Sequence, residues 1–425
     1  MFARRPARRG RPAVWLIACA CATLPAPAAA QAPPTTFATL NGPIGLAVGG
    51  DGSVFATYDG IGDVRVVKLS PQGQVVRQVA FGNLGSVGQV GKLAIDPGTG
   101  LIWDLFTTGE IRVFDPNTLA SSSIGTLRAT PVDRTSVFDV SQGRRRDMSG
   151  EILPELSTFG DIALLRSGTQ LDVFATGRSS SGVPYVLRAR FNGNAFAGAR
   201  VIAGASISSR EDNSPRGVAV NRAGTVLTTL PTPNVRLDVV DRPYVFSSTF
   251  PEAGAAPRLA LGGRDLASRG MTTDAAGNFY VTGFIGSTLC GRNAAGAIIV
   301  LSPDGANGIC HPFSPTPVNM EDVAIGPPAA PVVFSTLLGY PGRILRWGRL
   351  AVPAPAARDV EPGTGASRAC AKAKKRLHTA VKRKKRAVRR ARHAHGHAAK
   401  RRARARLRKA TRAVKKARRH KHAVC

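Results

Sequence analysis

The sequence predicts an all-β fold: a six-bladed β-propeller followed by a basic α-helical hairpin. Two observations carry this expectation. One short phrase recurs six times between residues 44 and 325: an apolar residue, a small residue and another apolar residue. A Gly- or Asp-bearing turn usually follows, then a β-branched or aromatic run. Recurrence of a strand–turn–strand unit at blade-sized intervals marks a radial repeat. The second observation is segregated charge. The formal net charge is +33, yet residues 368–425 hold 26 Lys and Arg and no acid. The first thirty residues add five Arg and no acid, so the middle carries 28 basic against 26 acidic residues. The repeat region is therefore nearly neutral, and the high isoelectric point belongs to a tail.

Residues 1–30 read as a signal peptide. Arg4, Arg5, Arg8, Arg9 and Arg11 form its positive start, residues 13–24 its apolar stretch, and Ala28-Ala29-Ala30 a small-residue cleavage site. The apolar stretch is too short to span a bilayer. Leu16-Ile17-Ala18-Cys19 also resembles a bacterial lipid-attachment box, although ordinary cleavage fits its short lead-in better. The expected location is secreted, or associated with the cell surface.

The propeller is expected over residues 31–350. Its six phrases are Leu46-Ala47-Val48, Leu93-Ala94-Ile95, Ile162-Ala163-Leu164, Val218-Ala219-Val220, Met271-Thr272-Thr273 and Val323-Ala324-Ile325, read as inner strands. In the first blade, Gly49-Gly50-Asp51-Gly52 supplies a turn that needs positive φ, and Ser70-Pro71-Gln72-Gly73 a second one. The last blade lacks an obvious fourth strand. Residues 37–40 could supply it by pairing the two ends of the repeat region, which would close the ring and remove open edges. The longest interval, between Leu93 and Ile162, contains residues 141–155 with Arg144-Arg145-Arg146. It reads as a loop insertion on the second blade, or as a degenerate seventh blade.

Gly45-Leu46-Ala47-Val48, Asp51-Gly52 and Val54-Phe55-Ala56-Thr57 together resemble an NHL-type propeller repeat, and residues 271–281 resemble it again. The chain is also distantly similar to gluconolactonase-like propellers. That resemblance implies a divalent cation at the channel mouth, held by a Glu, an Asn and an Asp in three turns, which would polarise a lactone carbonyl and activate water. The matching turns here carry Asn41 for Glu, Arg216 for Asn and Arg269 for Asp. Two cations at ligand positions repel a metal. No metal and no cofactor are expected, and no catalytic residue is assigned.

The loops entering the inner strands offer mixed charge instead: Lys92, Arg216 and Arg269 against Asp161, Glu321 and Asp322. They can be read as a mouth for an anionic or zwitterionic ligand, with Arg as a bidentate clamp. They read more simply as rim residues paired with neighbouring blades. His311 is the one His outside the tail, so no Ser-His-Asp or Cys-His arrangement has support.

Cleavage after Ala30 would leave Cys290, Cys310, Cys370 and Cys425, an even count that favours disulfides with three connectivities open. Cys290 and Cys310 flank one hairpin and its following turn, where a staple is expected. Residues 351–367 are a Pro/Ala/Gly-rich linker. In the tail, residues 368–425, Ala, Leu and Val fall at alternating three- and four-residue steps on both sides of Gly396. An antiparallel helical hairpin turning there would bring Cys370 and Cys425 together.

The expected function is a non-catalytic binding propeller, monomeric, secreted or on the cell surface, with an unidentified ligand at its mouth. Its tail would bind an anionic cell-wall polymer, an anionic membrane surface or extracellular nucleic acid through phosphates. The alternative is a metal-dependent lactonase-like hydrolase or lyase with a degenerate site.

Overall fold

The computed structural model describes residues 32–353, apart from 60–62, 82–90, 128–131, 151–159, 180–182, 194, 206–216, 234–238, 265, 285–289, 291–295, 315–317 and 330, and scattered positions between 379 and 414. It is an all-β propeller. A first strand, β1 (Thr35–Leu40), precedes a four-stranded sheet of β2 (Pro43–Val48), β3 (Val54–Asp59), β4 (Val64–Leu69) and β5 (Val75–Ala80). The second sheet is β6 (Lys92–Ile95), β7 (Ile102–Leu105), β8 (Glu110–Phe114) and β9 (Ser121–Thr126). Three short strands follow, β10 (Val132–Asp133), β11 (Val137–Asp139) and β12 (Arg144–Arg146). The third sheet continues with β13 (Ile162–Ser167), β14 (Gln170–Arg178), β15 (Pro184–Asn192) and β16 (Ala195–Gly204). The fourth is β17 (Val218–Val220), β18 (Thr225–Pro233), β19 (Val239–Ser247) and β20 (Arg258–Leu259). The fifth is β21 (Ala267–Thr273), β22 (Phe279–Phe284), β23 (Gly296–Leu301) and β24 (Gly308–Ser314). The last contains β25 (Val323–Ile325), β26 (Val333–Leu337) and β27 (Gly342–Trp347).

Each of the six apolar phrases lies on a strand at one end of its sheet's hydrogen-bonded order: β2, β6, β13, β17, β21 and β25. The turns follow the sequence chemistry. Gly52 has φ +80° and its N–H donates to the Gly49 carbonyl at 3.0 Å, a left-handed turn position that a side chain would strain. Side chains then alternate across each sheet with period two. In the first sheet Ala47, Phe55 and Val66 pack against Leu93, Ile102 and Phe114 of the second. Leu46, Val54, Ala56 and Val67 point the other way, onto Ala324, Phe334 and Ile344 of the last sheet. The remaining neighbours pack in the same manner: second on third, third on fourth, fourth on fifth and fifth on last. The core is thus a set of face-to-face layers that runs round a closed ring.

Closure is made by β1, which pairs antiparallel with β27, Thr35 opposite Arg346 and Leu40 opposite Gly342. The chain's beginning supplies the outer strand of its last sheet. Phe37 of β1 meets Phe334 edge to face, with ring centroids 4.9 Å apart.

Five sheets have four strands, where a six-bladed propeller was expected. The third sheet has seven, because the interval read as an insertion on the second blade pairs elsewhere. β10 and β11 run parallel to β16, and β12 turns back antiparallel on β11. The physical reason is the ten-residue length of β16, whose outer edge offers unpaired backbone groups along the third sheet. The interval is therefore not a seventh blade.

The staple between Cys290 and Cys310 is present, with Cα atoms 5.3 Å apart. Cys370, Cys425, Cys19 and residues 1–31 lie outside the described residues. In the tail, residues 379–382 and 405–411 are helical and Gly396 has φ +81°. Along the second of these stretches Leu407 and Ala410 are half-buried, while Arg406, Arg408 and Lys409 are exposed.

Candidate channel-mouth site

The residue just before each apolar phrase occupies an equivalent place at the start of an inner strand. Around the ring these residues are Gly45, Lys92, Asp161, Gly217, Gly270 and Asp322. Three are charged and three are glycine, and the two groups depend on each other. A Cβ on Gly270 would lie 2.3 Å from Asp322 Oδ1, and one on Gly217 would lie 3.2 Å from Asp161 Oδ2. A Cβ on Gly45 would lie 2.6 Å from both the Gly91 carbonyl and Thr57 Oγ1. The glycines make room for the charged side chains and for the close approach of neighbouring strands.

The charged groups tie the inner strands together. Asp161 Oδ1 accepts from the Ile162 N–H at 2.9 Å, while Oδ2 accepts from Val218 at 3.0 Å and Met271 at 3.1 Å. One carboxylate thus joins the third, fourth and fifth sheets. Asp322 Oδ1 accepts from Val323 at 2.9 Å and Oδ2 from Leu46 at 2.7 Å, joining the last sheet to the first. The Lys92 ammonium donates to the Glu321 carbonyl and lies 3.6 Å from Asp322 Oδ1, bringing in the second sheet. All six inner strands are tied by three side chains, each at most 6% exposed.

A layer of hydroxyls on the second strands supports this ring. Thr57 Oγ1 accepts from Gly45 at 2.9 Å and donates to the Gly91 carbonyl at 2.6 Å. Thr176, Thr282 and Thr336 accept from the N–H groups of Asp161, Gly270 and Asp322 at 2.8–3.0 Å. Thr229 reaches Ser268 Oγ, which itself accepts from Gly217.

Electrostatically, two buried carboxylates share one buried ammonium. Burial raises the Asp161 carboxyl, and the neighbouring Asp322 charge raises it further; Lys92 and two backbone N–H groups act in the opposite direction. Burial also raises Asp322, against the pull of Lys92 and its own N–H donors. The pair therefore holds a proton more readily than ordinary carboxylates do. Glu321 pairs with Arg269, 3.3 Å from its Nη1. Lys92, Asp161, Arg269, Glu321 and Asp322 are thus gathered at one end of the channel, as residues bound to neighbouring sheets. Arg216 lies outside the described residues.

Beyond this ring the inner strands enclose a cavity of about 850 Å³. Its lining runs from Asp322 and Leu46 past Leu93, Ile95, Leu164, Val220 and Ile325 to the turns that end the strands. There Arg166 of the third sheet is bonded to Asp96 of the second, with a 2.6 Å bond from Nε to Oδ1. Among the described residues no group of three or more His, Cys, Asp or Glu is placed to hold a metal ion. His311 is 6% exposed and its Nε2 lies 2.9 Å from the Ala351 carbonyl, and burial lowers its pKa. It fastens the start of the linker to the fifth sheet.

The glycines, the threonine layer and the Asp96–Arg166 pair were not singled out from sequence as site residues. The usable signal was the position before each phrase, where residue types differ but place is constant. Asp104 on β7 was also missed. It is wholly buried, and neither carboxylate oxygen has a hydrogen-bond partner among the described residues.

No family model and no curated protein matches this chain. Solved structures with a similar course exist at low identity. A luciferin-regenerating enzyme is 12% identical, covering 76% of this chain and 97% of its own, with a TM-score of 0.45. A gluconolactonase from Xanthomonas campestris is 14% identical over 76% of this chain and 98% of its own, with a TM-score of 0.44. A PQQ-bound aldose sugar dehydrogenase from Streptomyces coelicolor is 15% identical over 73% of this chain and 96% of its own, with a TM-score of 0.42. These distant neighbours are propeller proteins; at this level of similarity their activities do not transfer.

Proposed function

We propose that the chain is a non-catalytic, NHL-type binding propeller that acts outside the cytoplasm and is held on anionic polymers by its basic tail. The observation that carries this reading is the saturation of the mouth. Asp161 accepts three backbone N–H groups, Asp322 accepts two and faces Lys92, and Glu321 is paired with Arg269. A cation would have to displace N–H groups that hold the ring closed. The channel cavity is the place left for a small ligand. Cell-wall polymers, anionic membrane surfaces and extracellular nucleic acid are the partners that suit a tail of 26 cations.

Metal analysis of the purified full chain tests the first half. Sub-stoichiometric Ca²⁺, Zn²⁺ and Mg²⁺, with no hydrolysis of gluconolactone above background, is expected. One equivalent of metal together with lactone hydrolysis would establish the alternative, a lactonase-like enzyme. For the tail, cells of the producing organism are washed in rising NaCl. Release between low and about 1 M salt is expected of an ionic tether, since screening shortens to about 3 Å there. Retention at that salt, or loss into the medium without it, overturns the tether.

A further inference from the structure

We propose that the outer edge of the third sheet, strand β12, is a docking strand for an acidic, extended peptide segment of a partner protein. The chain leaves its four-stranded pattern at this sheet, and it places three consecutive arginines there. Among the described residues β12 is the terminal strand of its sheet, paired on one side only, with β11. The backbone N–H and C=O groups of its other side pair with no strand among the described residues, the template on which a further strand forms.

The hairpin is a rigid platform. Asp139 accepts from the Ser141 N–H at 2.9 Å at its turn, and Val137 beneath it is fully buried. Phe138 meets Phe250 of the fourth sheet's connection at 5.9 Å, and the Arg145 guanidinium lies 5.2 Å from the same ring. Successive side chains of a strand alternate in direction, so Arg144 and Arg146 lie on one face and Arg145 on the other. The edge therefore carries the exposed Arg144 on one face and the exposed Arg145 on the other, while Arg146 is paired with the buried Asp139 at 3.7 Å. Arg144 bonds to Gln142 and Arg145 to Ser136, and among the described residues neither makes an ion pair. Edge charge of this kind bars an ordinary or basic strand. A strand with consecutive acids, one on each of its faces, would set them against Arg144 and Arg145 as cross-strand pairs. This inference stands apart from the tail and its polymers.

The test is amide hydrogen exchange on the full chain, titrated with the capped peptide Val-Glu-Glu-Glu-Val, whose consecutive acids fall on both faces of a strand. Strand addition is expected to slow the outward-facing amides of residues 144–146 at least tenfold. The same peptide with Lys for Glu should leave them unchanged. Arg144→Glu should abolish the protection while the amides of β14 and β15 keep theirs, which shows that the sheet is intact. Arg144→Ser/Arg145→Ser should weaken it at least tenfold. Protection confined to the tail overturns the proposal. So does equal protection of β12 by inorganic polyphosphate, which would mean general ionic contact without strand pairing.

Discussion

The Lys92 ammonium lies 3.6 Å from Asp322 Oδ1 and donates to the carbonyl of Glu321, so one side chain of the second sheet is anchored in the last. Its neighbours are two raised carboxyls that compete for a single cation. Lys92→Met leaves both without it, and breaking a buried pair costs about 3–5 kcal/mol. The pH course has a definite sign. A carboxyl raised in the native state contributes stability in full below its unfolded value, about 3.9, and loses it as pH rises through the native one. Removing Lys92 raises the pair further. Thermal melts of Lys92→Met should therefore show a deficit that is largest above neutral pH and shrinks towards pH 5; a pH-independent deficit would contradict the shared-cation account.

Gly270→Ala tests the space that Asp322 occupies. The added Cβ would lie 2.6 Å from the Asp322 Cα and 2.8 Å from the Glu321 carbonyl, both backbone atoms that cannot swing aside. Overpacking of this kind costs about 1–3 kcal/mol. Gly50→Ala is the control, since no atom lies within 4 Å of its Cβ position. Denaturant midpoints should drop for the first and stay near wild type for the second.

Asp104→Asn should stabilise the protein. Burial pushes this carboxyl well above the ordinary carboxylate range, with Arg112 pulling it down only in part. The native state therefore keeps a proton here over a pH range in which the unfolded chain has released it, and stability falls as pH rises through that range. The amide carries no charge to lose. Its gain, of about 1–3 kcal/mol, should appear in melts above neutral pH and vanish near pH 4.

Loss of the Cys290–Cys310 bond frees a loop with a sequence separation of 20 residues. Loop entropy puts the cost at about 3 kcal/mol. The Cys290→Ser/Cys310→Ser variant should melt earlier, and wild type in reducing agent should match it.

The inner strands were legible because their pattern is local. Leu46-Ala47-Val48 and Val323-Ala324-Ile325 each sit beside a turn or an apolar run that announces a strand. The mouth was legible by composition and not by role. Asp161 and Asp322 were recognisable as charged loop residues, but that each accepts N–H groups from other sheets follows from ring closure, which no local pattern encodes. Gly217 and Gly270 look like ordinary loop glycines until the carboxylates beside them are seen. Arg144-Arg145-Arg146 was placed on the wrong sheet for a similar reason. Parallel pairing between β11 and β16 joins Phe138 to Ala203 across four intervening strands. His311, left without a catalytic partner in the sequence, holds the Ala351 carbonyl.

The antiparallel match of Leu40 with Gly342 has a consequence for biosynthesis. A ribosome delivers β1 before, and its mate after, every other described strand, so β1 waits, unmatched, while five sheets emerge behind it. Until Trp347 leaves the exit tunnel the circle cannot shut. Any premature termination before that point yields a product with two raw borders, a natural target for quality-control proteases.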